Sequence, residues 1–196
     1  MNREASVKRK TAETDIELRL VLDGSGRYQV DTGIGFLDHM LALWCRHGLF
    51  DLEVKALGDL AVDGHHTVED VGICLGRAIK EGLGERAGIT RYGHAMVPMD
   101  EALVLVALDL SGRPFLAYQA DIPAERVGDL ETELVEEFLR ALSVQGGITL
   151  HVRVLAGRNS HHTIEAIFKA LGRALREAVQ LDPHVQGVMS TKETLV

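Results

Sequence analysis

The chain has 196 residues, of which 46% are hydrophobic and 26% charged, a composition typical of a globular protein with a sizeable core. Its formal net charge of -8 disfavours nucleic acid as the main partner, and no apolar run approaches the roughly 18 residues that would predict a membrane span. The N-terminus is charged without an apolar run behind it, and the two cysteines lack CxxC spacing. We therefore expect a cytoplasmic protein without disulfides.

The first half of the chain alternates between strand-like and helical patterns. Residues 16–22 (IELRLVL) alternate as a strand, and a DGSG turn leads into RYQV. Apolar residues at helical spacing predict a helix over 37–48, for which Gly48 is a plausible C-cap. A further strand is predicted over 50–56, and helical spacing returns from 65 to 84.

The second half repeats this order. Its pattern predicts strands near 94–99, 102–110 and 114–120, a helix over 131–145, a strand over 148–155 and a helix over 161–180. We therefore predict an α+β fold (α/β two-layer), internally duplicated, with helices packed on one face of a largely antiparallel sheet in each βββαβα half. The halves are expected to span 1–88 and 89–196 and to pack as one unit.

Sequence repeats support the duplication. HHTVEDVGICLGRAIKEGLG begins at position 65 and HHTIEAIFKALGRALREAVQ at position 161, an offset of 96. LDGSGR recurs as LDLSGR at an offset of 86, and FLDHMLAL has a looser counterpart, LVEEFLRA, at an offset of 98. Two copies of this length indicate a gene duplication rather than a solenoid.

The two HHxxE blocks are the strongest chemical signal. On a helix, positions i and i+4 share a face, so His65 and Glu69 could hold one metal ion, while His66 points about 100° away. The second block offers the same set, namely His161, Glu165 and His162. His66 and His162, which stand outside these i, i+4 pairs, are the spare histidines. If the halves pack about a pseudo-twofold axis, each spare histidine could complete the other half's site, which predicts a two-metal centre.

The alternative is that each HH pair is surface polarity or a feature of a helix N-terminus. Its recurrence at matching positions favours metal binding. Imidazole and carboxylate ligands without thiolate suit Mn, Fe, Co, Ni or Zn. Because zinc usually takes four ligands, a site with three or four protein groups and room for substrate favours six-coordinate Mn or Fe.

Several longer blocks resemble one enzyme family almost from end to end. DTGIGFLDHML, RHGLFDL, DGHHTVEDVGICLG, RYGHAMVPMDEAL, SGRPFL, AGRNSHHTIEAIFKALGRAL and STK are similar to the imidazoleglycerol-phosphate dehydratases of histidine biosynthesis. The resemblance implies a metal-dependent hydro-lyase that converts imidazole glycerol phosphate to imidazole acetol phosphate. It implies two Mn²⁺ per active site, which bind the substrate imidazole as imidazolate. It also implies a homo-oligomer of 24 subunits with active sites at subunit contacts.

The resemblance also implies two sets of metal ligands. One ion would take His39, His66, His161 and Glu165, and the other would take His65, Glu69, His162 and Glu137. This chain departs from the family at Glu137, where histidine is common. It also has Met189 where proline is common, and it lacks the glycine that usually follows Lys192.

Contacts to the substrate follow from the same resemblance. Glu13 matches a substrate-contacting glutamate, and the phosphate-site positions are Arg91, Arg113, Lys169, Ser190, Thr191 and Lys192. Arginine suits a phosphate because its planar guanidinium can bind two oxygens. Glu13 is the candidate base, with His47 or a metal-bound water as alternatives.

Two other classes of protein fit parts of the pattern. A two-metal hydrolase could use the same ligands to generate a hydroxide nucleophile. A non-catalytic shell cemented by metal would keep the HHxxE blocks but would not need Glu13 or the STK tail.

Overall fold

The structure, a computed structural model, describes residues 3–192 and 194–195. The first half contains β1 (Glu4–Lys10), β2 (Thr14–Val21), β3 (Tyr28–Asp31), α1 (Gly35–Gly48), β4 (Asp51–Gly58) and α2 (His65–Leu83). The second contains β5 (Tyr92–Met99), β6 (Ala102–Asp109), β7 (Phe115–Gln119), β8 (Arg126–Val127), β9 (Leu130–Glu131), α3 (Leu134–Gly146), β10 (Thr149–Ala156) and α4 (Ser160–Val179). Apart from the small β8–β9 hairpin, each half follows the order βββαβα, which confirms the predicted α+β fold and its duplication.

Each half builds one four-stranded sheet. The strand orders are β1-β2-β4-β3 and β5-β6-β10-β7. Three strands of each sheet are antiparallel, and the fourth, β3 or β7, runs parallel to its neighbour β4 or β10. The side chains of Ile16, Leu18 and Leu20 alternate into the core, so one face of the sheet is apolar and must be covered by helices.

One predicted helix begins later than expected, and one strand was not predicted. The helix predicted from residue 131 begins at Leu134, because Leu130–Glu131 pair with Arg126–Val127 around Gly128, whose φ is +61°. The apolar spacing runs through Leu130 and Leu134 alike, so periodicity by itself does not detect the hairpin. In the charged N-terminal segment, β1 buries Ala5 and Val7 at alternate positions, a signal too short to stand out.

One helix of each half packs against a helix of the other half, an arrangement that we call the exchange of helices. α2 packs on the first sheet and α4 on the second, but α1 packs against α4, and α3 packs against α2. Glycines permit both close crossings: a Cβ on Gly172 would lie 2.5 Å from the carbonyl oxygen of Trp44, and one on Gly76 would lie 2.6 Å from that of Leu142. Gly76 and Gly172 differ by the repeat offset of 96, so the two helix pairs are related by the duplication.

Both halves contribute to a single buried cluster of apolar side chains. The predicted boundary at 88/89 lies in the connection between α2 and β5, and the division into two units stays a prediction. Within the part of the chain that the structure describes, no helix has the length and apolar character to cross a bilayer.

Candidate metal and substrate site

Three of the predicted metal ligands lie together where α1 meets the start of α4. His39 comes from α1, and His161 and Glu165 come from one turn of α4; one ligand atom from each lies within 4.8 Å of the others. Glu165 Oε2 is 3.1 Å from His161 Nε2 and 3.7 Å from His39 Nε2. We call this group the trio. It unites a ligand of the first half with two of the second, because α1 packs on α4.

The trio is closed by protein on one side and open on the other. The Glu165 side chain is 10% exposed, whereas that of His39 is 48% exposed. Burial by itself would raise the pKa of Glu165, but a hydrogen bond and the charge of Lys169, with a further bond from His161, outweigh it and lower the pKa. Lys169 Nζ lies 2.5 Å from Glu165 Oε1, which leaves Oε2 for the histidines. The result is an ionised carboxylate and two imidazoles that face solvent.

Each spare histidine is held by a carboxylate. His66 Nδ1 lies 3.0 Å from Asp59, and its Nε2 lies 3.7 Å from Glu13 Oε1. A hydrogen bond with Asp59 is the largest cause of a raised pKa for His66. His66 was predicted as the fourth ligand of the same ion, but within one chain it does not lie with the trio.

His162 has the same surroundings in the second half. Its Nδ1 lies 2.8 Å from Glu101 Oε2, and its Nε2 lies 3.7 Å from Asp100 Oδ2. The bond with Glu101 raises the pKa of His162 and lowers that of Glu101 to about 2. Sequence patterns did not indicate Asp59, Asp100 or Glu101, because these residues lie in loops that have no periodicity. Asp59 is only 7 residues from His66, whereas Glu101 is 61 residues from His162.

Three of the four residues in the second predicted ligand set lie on the other helix pair, and the fourth, His162, is on α4. His65 and Glu69 are on α2, and Glu137 is on α3, so the three correspond to the trio by the offsets 96 and 98. Glu137 is half-buried, with its Oε2 3.6 Å from Arg140 Nε. Among residues 3–192 and 194–195, the trio is the only group of three ligands drawn so close together.

Five of the six predicted phosphate contacts line one cleft of about 820 Å³. Its lining residues are Arg91, Tyr92, Arg113, Met189, Ser190, Thr191, Lys192, Thr194 and Leu195. The Arg91 guanidinium is oriented by Asp109, with Nε 2.7 Å from Oδ1, and donates to the carbonyl oxygen of Met189 at 2.5 Å. The cleft thus brings three cationic side chains together with hydroxyls. The sixth contact, Lys169, lies beside the trio instead.

The two catalytic candidates are in different places. Glu13 is at the turn between β1 and β2, half-exposed, beside His66. His47 is in the last turn of α1, eight residues or about 12 Å along the helix from His39, so it cannot reach the same ion. Burial, followed by the charges of Lys169 and Arg173, lowers the pKa of His47, which favours a neutral imidazole.

The fold and the trio define a class of protein: an internally duplicated α+β chain with a histidine–carboxylate group that could hold a metal ion. The sequence model of one family, imidazoleglycerol-phosphate dehydratase, matches residues 32–175. The chain is 64% identical over 195 residues to the imidazoleglycerol-phosphate dehydratase of Moorella thermoacetica and 62% identical over 195 residues to that of Acetivibrio thermocellus. Both alignments cover 100% of this chain and of the relative.

Solved structures agree with these sequence relationships. The enzyme of Staphylococcus aureus superposes with a TM-score of 0.83 at 38% identity, covering 91% of this chain and 99% of that one. The enzyme of Pyrococcus furiosus, in complex with (S)-C348, gives 0.84 at 38% identity over 96% of this chain and 100% of that one. The chain belongs to the imidazoleglycerol-phosphate dehydratase family, hydro-lyases of histidine biosynthesis.

Proposed function

We propose that this chain dehydrates D-erythro-imidazole glycerol phosphate to imidazole acetol phosphate through a two-metal centre. The observation that carries the proposal is the trio, assembled from both halves of a chain that is similar over its full length to dehydratases of this substrate. Membership of the family supports the reaction, and the trio supports its dependence on metal.

The donor set fits divalent manganese. His39, His161 and Glu165 supply two imidazole nitrogens and a carboxylate oxygen without thiolate, and the exposed side leaves room for further ligands. His66 would be the fourth protein ligand of this ion. His65, Glu69, His162 and Glu137 would hold a second. When bound, the two Mn²⁺ would act as Lewis acids that favour the imidazolate form of the substrate and orient it.

The other predicted residues bind the phosphate and move a proton. Arg113, Ser190, Thr191 and Lys192 would hold the phosphate in the 820 Å³ cleft, with Arg91 kept in position by Asp109. Glu13 would remove the proton from the carbon that has no adjacent carbonyl, since its carboxylate already lies beside a proposed ligand, His66. His47, held neutral, is the alternative base.

A complete site would require more than one copy of the chain. The trio lacks His66, and His66 lies with Glu13 and Asp59 in a separate group. Bringing these groups together at a subunit contact would complete both. The outer face of the second sheet also exposes apolar side chains suited to association, namely Tyr92, Met96, Phe115 and Leu155. Both observations support the predicted homo-oligomer, whose number of 24 subunits rests on the resemblance to the family alone.

The direct test adds imidazole glycerol phosphate and Mn²⁺ to the metal-free protein and measures imidazole acetol phosphate. We expect turnover that requires the metal. Glu13→Gln should abolish it while leaving the mass of the oligomer unchanged, and Glu17→Gln, on the exposed face of β2, is the matched control. Release of inorganic phosphate without the ketone would favour a hydrolase, and full activity of Glu13→Gln would remove Glu13 as the base.

A further inference from the structure

We infer that Asp59 and Glu101 are positioning residues, which orient His66 and His162 so that each presents Nε2 to a metal ion. The inference deepens the proposed function and rests on it for the identity of the two histidines as ligands. It adds two residues that lie outside both HHxxE blocks.

The geometry divides the roles of the two nitrogens in each ring. The carboxylates of Asp59 and Glu101 lie 3.0 and 2.8 Å from Nδ1 of their histidines, within hydrogen-bonding distance. The nearest carboxylate to each Nε2, from Glu13 or Asp100, is 3.7 Å away, too far for a hydrogen bond. A carboxylate accepts but cannot donate, so the proton of the neutral ring resides on Nδ1 and the lone pair on Nε2. An imidazole that binds a metal ion through Nε2 needs this tautomer.

The same arrangement arises from different loops in the two halves. Asp59 follows β4, and by the offset of 98 its counterpart after β10 is Gly157, which has no side chain. Glu101 lies in the turn between β5 and β6, whereas the corresponding turn of the first half holds Glu13, which approaches Nε2 instead. Duplication alone would have placed both carboxylates at equivalent positions. Their separate origins indicate that each spare histidine requires an acceptor on Nδ1.

The two carboxylates differ in what else they hold. Among the described residues, the Asp59 carboxylate makes no hydrogen bond other than that to His66. Glu101 Oε1 also accepts from the backbone N–H groups of Arg158 and Asn159, and Asn159 in turn caps the start of α4. Glu101 therefore fixes both the ring of His162 and the loop that precedes its helix. A substitution of Asp59 therefore tests the contact with the histidine ring alone.

The experiment compares Asp59→Asn, Asp59→Ala and Glu101→Gln with the wild-type protein. Asp182→Asn is the matched control, because Asp182 also contacts a histidine Nδ1, that of the exposed His184, at 3.1 Å. Competitive titration measures Mn²⁺ affinity at each site. Nitrogen-15 spectra of the metal-free protein, with histidine labelled, report the tautomers, and thermal unfolding reports any general loss of structure.

We expect each isosteric amide to weaken one Mn²⁺ site about 10-fold and Asp59→Ala to weaken it by up to about 100-fold, the range seen when such partners are removed. The histidine ring next to the substituted carboxylate should no longer be held as the Nδ1–H tautomer alone. In the control Asp182→Asn, the Mn²⁺ affinities and the tautomers of His66 and His162 should match those of the wild-type protein. Wild-type affinity and tautomers in the Asp59 variants would overturn the inference, even if their unfolding temperature fell. If the wild-type protein binds no Mn²⁺, the proposed function fails, and the tautomers alone decide whether the carboxylates fix the rings.

Discussion

Gly172→Ala should separate α1 from α4 and so disturb the trio at a distance. The added Cβ would lie 2.5 Å from the Trp44 carbonyl oxygen and 3.1 Å from the Gly48 backbone nitrogen. Real Cβ atoms essentially never approach within 3.0 Å, and most stay beyond 3.4 Å. The helices must therefore move apart by about 0.5–0.9 Å at the crossing, because both obstacles are backbone atoms that cannot rotate away.

The expected effect on stability is modest. Overpacking costs about 1–3 kcal/mol, and replacing a helical glycine by alanine returns roughly 1 kcal/mol. A net loss of up to about 2 kcal/mol lowers the unfolding temperature of a chain of this size by up to about 8 °C.

The expected effect on metal binding is larger. Glu165 and His161 lie about 10 and 16 Å along α4 from Gly172, and a rigid separation of the helices carries His39 away from both by a similar 0.5–0.9 Å. Metal–ligand distances tolerate about 0.2 Å, so Mn²⁺ should bind at least about 10-fold more weakly at one of the two sites.

Gly76→Ala provides the matched control, since its Cβ would meet the Leu142 carbonyl oxygen at 2.6 Å in the equivalent crossing of α2 and α3. It should cost similar stability but weaken the other Mn²⁺ site, the one that we assign to His65, Glu69 and Glu137. The measurement is a two-site Mn²⁺ titration, with thermal unfolding of the metal-free proteins alongside. If both variants weaken the same site, or Gly172→Ala loses stability without losing Mn²⁺ affinity, the exchange of helices does not position the ligands.

Three further outcomes are expected. Removal of metal by a chelator should reduce the particle mass measured by light scattering, reversibly on return of Mn²⁺, because ligand binding at subunit contacts also contributes to association; an unchanged mass would contradict shared sites. Glu137→His should preserve two Mn²⁺ per chain and most of the activity, while Glu137→Gln should weaken one site by loss of a charged ligand. If Glu137→Ala binds two Mn²⁺ with unchanged affinity and turns over normally, the residue is only a surface charge. The pKa of Asp51 is lowered, since hydrogen bonds from Arg27 and Ser25 outweigh its burial. Asp51→Asn should therefore destabilise the protein above about pH 3.9, and the difference in unfolding free energy from the wild type should shrink as acid protonates the wild-type carboxylate. A difference of the same size in acid would contradict this origin.

Local patterns predicted most of the elements, because the spacing of apolar residues within a helix or strand depends only on its own geometry. The helix predicted over 161–180 is observed at Ser160–Val179, and the strand predicted over 148–155 at Thr149–Ala156. The β8–β9 hairpin escaped this reasoning because two-residue strands show no period.

The sequence by itself determined the duplication and the placement of histidine and glutamate on one helical face, since i and i+4 positions are neighbours on any α-helix. Only the tertiary structure decided that α1 packs on α4, which brings His39 to His161 and Glu165. The apolar stripe of a helix indicates that this face is buried, but not which helix packs on it. Here glycines at the crossings allow a helix of the other half to approach closely. Contacts from loops, such as Asp59 on His66 and Glu101 on His162, depend on where each loop lies relative to its helix, so they carry no periodic signal in the sequence.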